Sequence, residues 1–163
     1  MLAGAQASSP LEKVMALEDH LAFSSEFEYS LLPAVDHQKQ LDPIEDFAAN
    51  HRRGHCQYFA STLAIMLRTM GIPSRIVLGF RPSEYNDVGN FFAVRQRHAH
   101  AWVEAYLSPA MIQESEISLP EWVSHGIWLR LDPTPPGEGS NAGGSLRQGA
   151  GASQAYEAIE QFW

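Results

Sequence analysis

Gly54-His55-Cys56-Gln57-Tyr58-Phe59-Ala60, running on to Met70 and closed by Gly71-Ile72-Pro73, is the stretch on which the reading of this chain turns. From Cys56 to Met70 the apolar residues Phe59, Leu63, Met66, Leu67 and Met70 recur with a helical period, which predicts a helix with one buried stripe. Gly71 suits a helix stop, and Pro73 cannot continue the helix. Cys56 therefore opens the helix. There a thiol meets unpaired N–H groups and partial positive charge, which favour its thiolate form. It is the one cysteine of the 163 residues, so no internal disulfide forms and the thiol is free.

Downstream, Ser74–Phe80 is β-branched and bounded by punctuation, which predicts a strand. Pro82–Asn90 reads as a polar loop. Phe91–Val94, Ala99–Leu107 and Trp128–Asp132 read as further strands. Alternation puts His98, His100, Trp102 and Glu104 on one face, and Trp128, Arg130 and Asp132 on one face of the last strand. Pairing these two strands would bring His100 within reach of Asp132. Upstream, Ser9-Pro10-Leu11-Glu12 carries a capping box, and Leu11, Val14, Met15, Leu17 and Leu21 follow at helical spacing. Phe27–Leu31 is short and extended in character. Asp42-Pro43-Ile44-Glu45 starts a second helix through about Ala49.

A thiol, an imidazole and a carboxylate in the order Cys56, His100, Asp132 are the parts of a thiol acyl-transfer site. The helix terminus favours the thiolate and offers N–H groups to an oxyanion. The imidazole forms an ion pair with the thiolate and protonates the leaving amine, and the carboxylate orients the ring. Taken singly, each has a plainer reading: a buried inert cysteine, a satisfied histidine, a strand-ending cap before Pro133. His55, Tyr58, His98 and Trp102 are candidates for lining a substrate cleft. His98-X-His100 with His55 and Cys56 is a weaker zinc pattern, lacking a second paired motif, so no metal or cofactor is expected. Glu104 with Asp132 as an acid/base pair is weaker still. Arg75 reads as structural rather than site-facing, Trp102, Trp122 and Trp128 as core or cleft wall, and the acidic N-terminal third as a solvated surface.

The composition, 45% hydrophobic and 18% charged, is that of a globular domain. A net charge of -8 speaks against nucleic acid or an anionic membrane surface as a partner. No apolar run approaches the ~20 residues of a membrane span, and Met1–Ser9 does not read as a signal peptide. The expected organisation is a disordered start at 1–8 and one catalytic domain at 9–135. A Gly/Pro-rich linker at 136–153 and the beginning of a truncated helix at 154–163 follow.

Gly54-His55-Cys56-Gln57-Tyr58-Phe59-Ala60, Gly71-Ile72-Pro73-Ser74-Arg75, His100-Ala101-Trp102-Val103-Glu104 and Asp132-Pro133-Thr134 also resemble the core of the bacterial transglutaminase-like superfamily, roughly from Leu11 to Pro135. The resemblance implies an α+β, papain-like fold in which the cysteine helix packs on an antiparallel sheet bearing the histidine and aspartate. It implies Cys56 as nucleophile, His100 as base and acid, and Asp132 as orienting carboxylate. It implies a protein or peptide substrate, attacked at a glutaminyl carboxamide or a peptide amide, with an amine or water as acyl acceptor. It maps no oxyanion-hole side chain. The likeness is nearest to the soluble core of membrane-anchored bacterial proteins, which implies an extracytoplasmic domain that meets a membrane only through flanking segments. The alternatives are a cysteine peptidase or deamidase of the same fold, or a non-catalytic binding domain that retains it.

Overall fold

The structure is a computed structural model and describes residues 9–32, 40–115 and 125–136. The expectations for 1–8, for Trp122 and for the tail beyond 136 lie outside the described residues.

Helix α1 (Pro10–Phe23) begins where the capping box predicts. Ser9 Oγ accepts from Glu12 N–H at 3.3 Å, and Glu12 Oε2 accepts from Ser9 N–H at 3.1 Å. Such a cap is worth about 1 kcal/mol. Strand β1 (Glu28–Tyr29) follows. Helix α2 (Pro43–Asp46) is shorter than expected, because the chain widens into one π turn at Phe47–His51. Arg52 closes that turn in the left-handed region, with φ 52°. Strand β2 (Arg53–Gly54) then leads into α3 (Cys56–Thr69), the cysteine helix.

Helix α3 ends in a Schellman motif. Gly71, with φ +76°, donates its N–H to Arg68 O, and Ile72 donates to Leu67 O. Ile72 is buried beside the helix it terminates. The turn sends the chain back as β3 (Ser74–Phe80). Strands β4 (Glu84–Asn86) and β5 (Phe91–Ala93) form a hairpin, so the segment read as a polar loop contains a strand. Strand β6 (Ala99–Leu107), a short helix α4 (Pro109–Gln113) and β7 (Ile127–Leu131) complete the described chain.

Strands β3, β6 and β7 form an antiparallel sheet in that order, with β6 central. The buried side of β6 is Ala101, Val103, Ala105 and Leu107, and α3 meets it with Phe59, Ala60, Leu63, Ala64 and Leu67. Alanines on both surfaces let helix and strand approach closely. The larger side chains supply roughly 1.5–3 kcal/mol each through burial. Val14, Leu17 and Leu21 of α1 complete the same core. Phe27, Phe47 and Phe59 pack ring on ring, with centroids 5.0–6.1 Å apart, and tie β1 and the π turn to the first turns of α3. The fold is α+β, with the cysteine helix laid on an antiparallel sheet.

Two carboxylates of the acidic N-terminal third are buried, contrary to its reading as a solvated surface. Glu18 of α1 is 5% exposed and Asp46 of α2 is 1% exposed. Asp46 Oδ1 accepts from the Asn50 amide at 2.7 Å, and Oδ2 lies 2.9 Å from His51 Nε2. The carboxylate thereby braces the π turn that precedes the cysteine.

Candidate active site

Cys56 is carried into place by backbone on both sides. Strand β1 pairs parallel with β2, Tyr29 against Gly54. Glu28 N–H donates to Arg52 O and Ser30 N–H to Gly54 O, both at 2.8 Å. Gly54 is glycine for want of room: a Cβ there would stand 3.0–3.2 Å from the Tyr58 side chain. His55 is the N-cap residue in extended conformation, so Cys56 is the first residue of the helix. Its thiol is half-buried against the core.

His100 lies near the start of β6, opposite Gly79 of β3. Its Nε2 is 2.8 Å from Asp132 Oδ2, just beyond the end of β7. With Nε2 engaged, Nδ1 is the ring nitrogen left to meet the Cys56 thiol, whose ionisation His100 favours. His100 therefore stands between Cys56 and Asp132, as the pairing of the last two strands allowed.

Charge follows geometry. Burial opposes the imidazolium of His100, but the hydrogen bonds and charges of Asp132 and Cys56 outweigh it and lift its pKa from 6.5 to about 9. Burial likewise pushes the Cys56 thiol up. The hydrogen bond from His100, the Ala101 N–H, the imidazolium charge and the Gln57 N–H overcome this and hold the thiol below its usual value. Burial pushes Asp132 up as well, and the His100 hydrogen bond and charge, with Arg81, bring its carboxyl below the usual range. Each member stabilises the charged form of the next. The arrangement favours a thiolate–imidazolium pair backed by a carboxylate, the form that can attack a carbonyl carbon and protonate a leaving group.

Two residues that sequence reasoning passed over hold Asp132. Arg81 Nη1 donates to the same Oδ2 at 2.9 Å, and Arg81 N–H donates to His98 O at 2.7 Å. Glu18 Oε1 accepts from the Asp132 N–H at 2.7 Å, reaching across from α1. Thr134 N–H closes a turn onto Asp132 Oδ1 at 3.2 Å.

The cleft candidates sit unevenly about this centre. His55 and Tyr58 pack edge to face with centroids 4.9 Å apart, and Tyr58 also lies 5.4 Å from Phe47. Trp102 stacks on His100 at 6.4 Å and carries the Arg130 guanidinium 4.4 Å over its ring. His98 is not on the strand face with His100. It ends a 3-10 turn at Gln96–His98, where its buried ring accepts the Arg95 N–H at Nδ1 and points Nε2 towards Glu84, 3.8 Å away. Arg75 bonds Glu104 at 2.7 Å and covers the Trp128 ring, so it is structural, and Glu104 is engaged there rather than with Asp132. Among the described residues no group of three or more His, Cys, Asp and Glu side chains stands close enough to hold a metal ion.

Comparison with known proteins places this arrangement. The Transglutaminase-like superfamily model matches residues 2–133. The protein-glutamine gamma-glutamyltransferase of Pseudomonas aeruginosa is 35% identical over 108 residues, which is 66% of this chain and 13% of that protein. Uncharacterized protein YebA of Bacillus subtilis is 36% identical over 102 residues, 58% of this chain and 13% of that protein. This chain therefore spans about one eighth of the length of either relative. Among solved structures, the periplasmic domain of TgpA from Pseudomonas aeruginosa superposes with a TM-score of 0.59, at 32% identity, over 80% of this chain and 38% of that one. Its ethylmercury-bound form gives a TM-score of 0.60 at 31% identity, over 80% and 40%. A cysteine helix laid on an antiparallel sheet, a family match over most of the chain and these structural likenesses agree, and the chain belongs to the transglutaminase-like superfamily.

Proposed function

We propose that this domain is a thiol acyltransferase in which Cys56 attacks a glutaminyl carboxamide, or a peptide amide, of a protein or peptide. The observation that carries the reading is the placing of His100 between Cys56 and Asp132: its Nε2 is bonded to Asp132 at 2.8 Å, and its interaction with the thiol lowers the thiol and helps lift the imidazole to about 9. The thiolate adds to the carbonyl carbon, and the His100 imidazolium gives its proton to the nitrogen that leaves as ammonia or an amine. A Cys56 thioester remains. An amine that then gives a proton to His100 yields a new amide; water in the same place yields the acid. The name of the Pseudomonas relative supports a protein glutamine as the group attacked. The likeness to a periplasmic domain supports a location outside the cytoplasmic membrane.

Incubation with a glutaminyl peptide and dansylcadaverine tests the reading. The expected result is dansyl incorporation by the wild type and none by Cys56→Ala, with the two proteins melting together. Ammonia or peptide fragments released without incorporation would make the domain a deamidase or peptidase. If neither product forms and Cys56→Ala lowers the melting temperature, Cys56 is part of the packing of a binding domain.

A further inference from the structure

The carbonyl oxygen that gains charge when Cys56 attacks needs donors. The helix supplies some: at its start the N–H groups of Cys56 and Gln57 have no carbonyl partner inside the helix, whereas Tyr58 N–H bonds His55 O. We propose that the phenol of Tyr29 is the side-chain donor of this oxyanion site, and so a catalytic residue of the acyl-transfer reaction. The proposal rests on the acyltransferase reading above.

The placement follows from three contacts. Phe27 packs on Phe59 with centroids 6.1 Å apart, and Phe59 stands one turn along α3 from Cys56, on the same side of the helix. On extended backbone, residues two apart point the same way. Tyr29 therefore projects on the side where Phe27 is anchored, one step nearer the start of the helix. The pairing of Tyr29 with Gly54, two residues before Cys56, fixes that height. The flanking bonds from Glu28 N–H and Ser30 N–H, both 2.8 Å, hold the strand rigidly beside it.

The electrostatics agree. Burial, and then the negative charge of the Cys56 thiolate, raise the Tyr29 pKa above 10, so the phenol keeps its proton. Tyr29 is 36% exposed, and no described residue takes its O–H in a hydrogen bond. It is a donor reachable by substrate and close enough to sense the nucleophile. During reaction the thiolate lone pair forms the C–S bond and the carbonyl π pair moves onto oxygen. Tyr29 O–H donates a hydrogen bond to that oxygen without losing its proton. When the pair returns, the C–N bond breaks and nitrogen departs with the His100 proton.

Tyr29→Phe removes only the hydroxyl, and two rates read the result. Acylation is followed with p-nitrophenyl acetate and carbobenzoxy-glutaminylglycine, and alkylation of Cys56 with iodoacetamide by intact mass. Acylation forms an oxyanion, whereas alkylation displaces iodide and forms none. The variant is expected to acylate on the order of 100-fold more slowly, through kcat rather than KM, while alkylating at the wild-type rate. Wild-type acylation by the variant would overturn the assignment. Equal losses in both rates would also overturn it, making Tyr29 a support of the thiolate. A wild type that accepts no acyl group from either substrate would overturn the acyltransferase reading itself, and this role with it.

Discussion

At the level of single residues, the proposed function turns on where two protons sit. In the proposed reaction, attack needs the Cys56 thiolate, and departure of nitrogen needs the His100 imidazolium. The thiol ionises below its usual value, and the imidazolium survives to about pH 9. Acyl transfer should therefore rise at acidic pH as the thiolate forms and fall with an alkaline limb near 9, well above the 6.5 of free imidazole. Alkylation needs the thiolate alone, so it should rise over the acidic limb and show no fall at 9. His100→Ala removes both the hydrogen bond and the charge that hold the thiol down, and should slow alkylation at pH 7 by roughly 10-fold. His98→Ala should change it little, since that ring bonds Arg95 N–H. Equal effects would remove His100 from the role of base. Cys56, His100 and Asp132 could be found in the sequence because their chemistry names them. Arg81 and Glu18 could not, because an arginine after a strand and a glutamate in a helix are ordinary on any surface. Glu18 did leave a trace, lying on the same helical stripe as Val14, Leu17 and Leu21. A carboxylate there must find a partner, and its partner is the backbone of Asp132, 114 positions away.

At the level of elements, the helices and long strands followed from period and punctuation, and the failures share one cause. The hairpin β4–β5 is held by the Tyr85–Phe92 contact at 4.9 Å, by Arg95 on Glu84 at 2.9 Å and by Arg97 on the same carboxylate. Such contacts exist only after the chain has turned, so in Pro82–Asn90 the turn-forming Pro, Ser, Asn, Asp and Gly residues dominate the reading. The π turn at Phe47–His51 is similar: a helical pattern cannot tell an i+4 bond from an i+5 bond. What the sequence least prepares for is Gly79 near the end of β3. Alanine normally improves a strand over glycine by restricting the unfolded chain. Here a Cβ would stand 2.6 Å from Trp102 Cη2, and that ring is held between His100 and the Arg130 guanidinium. Gly79→Ala should therefore destabilise the domain by about 1–3 kcal/mol, as overpacking does. It should also change the near-ultraviolet tryptophan signal and slow alkylation of Cys56 by disturbing His100. An unchanged urea midpoint would mean that Trp102 moves aside freely and does not brace the imidazole.

At the level of the whole molecule, the three-stranded sheet is covered unevenly. Helix α3 lies over the central strand, where Ala101, Val103 and Ala105 are wholly buried. On the same side of the sheet, Ile76, Leu78 and Phe80 of β3 stand in register with Val103, Ala101 and Ala99. They are 42%, 68% and 57% exposed. Strand β3 is the edge of the sheet among the described residues; α3 meets it at Ser74 but leaves these three side chains exposed. The hairpin adds exposed Tyr85, Phe91 and Phe92. An apolar edge with unpaired N–H and C=O groups is a template for pairing with another strand, and native edges are commonly blunted by a charge, often lysine. Along β3 the one charge is Arg75, at its start and tied to Glu104. The isolated domain should thus associate with itself as its concentration rises, in a way that light scattering detects. Leu78→Lys should suppress the association. The substitution should leave folding stability within ~0.5 kcal/mol, as exposed positions do, and leave the alkylation rate of Cys56 intact. If Leu78→Lys instead lowers the melting temperature by many degrees, Leu78 is packed in solution and the edge of the sheet is covered.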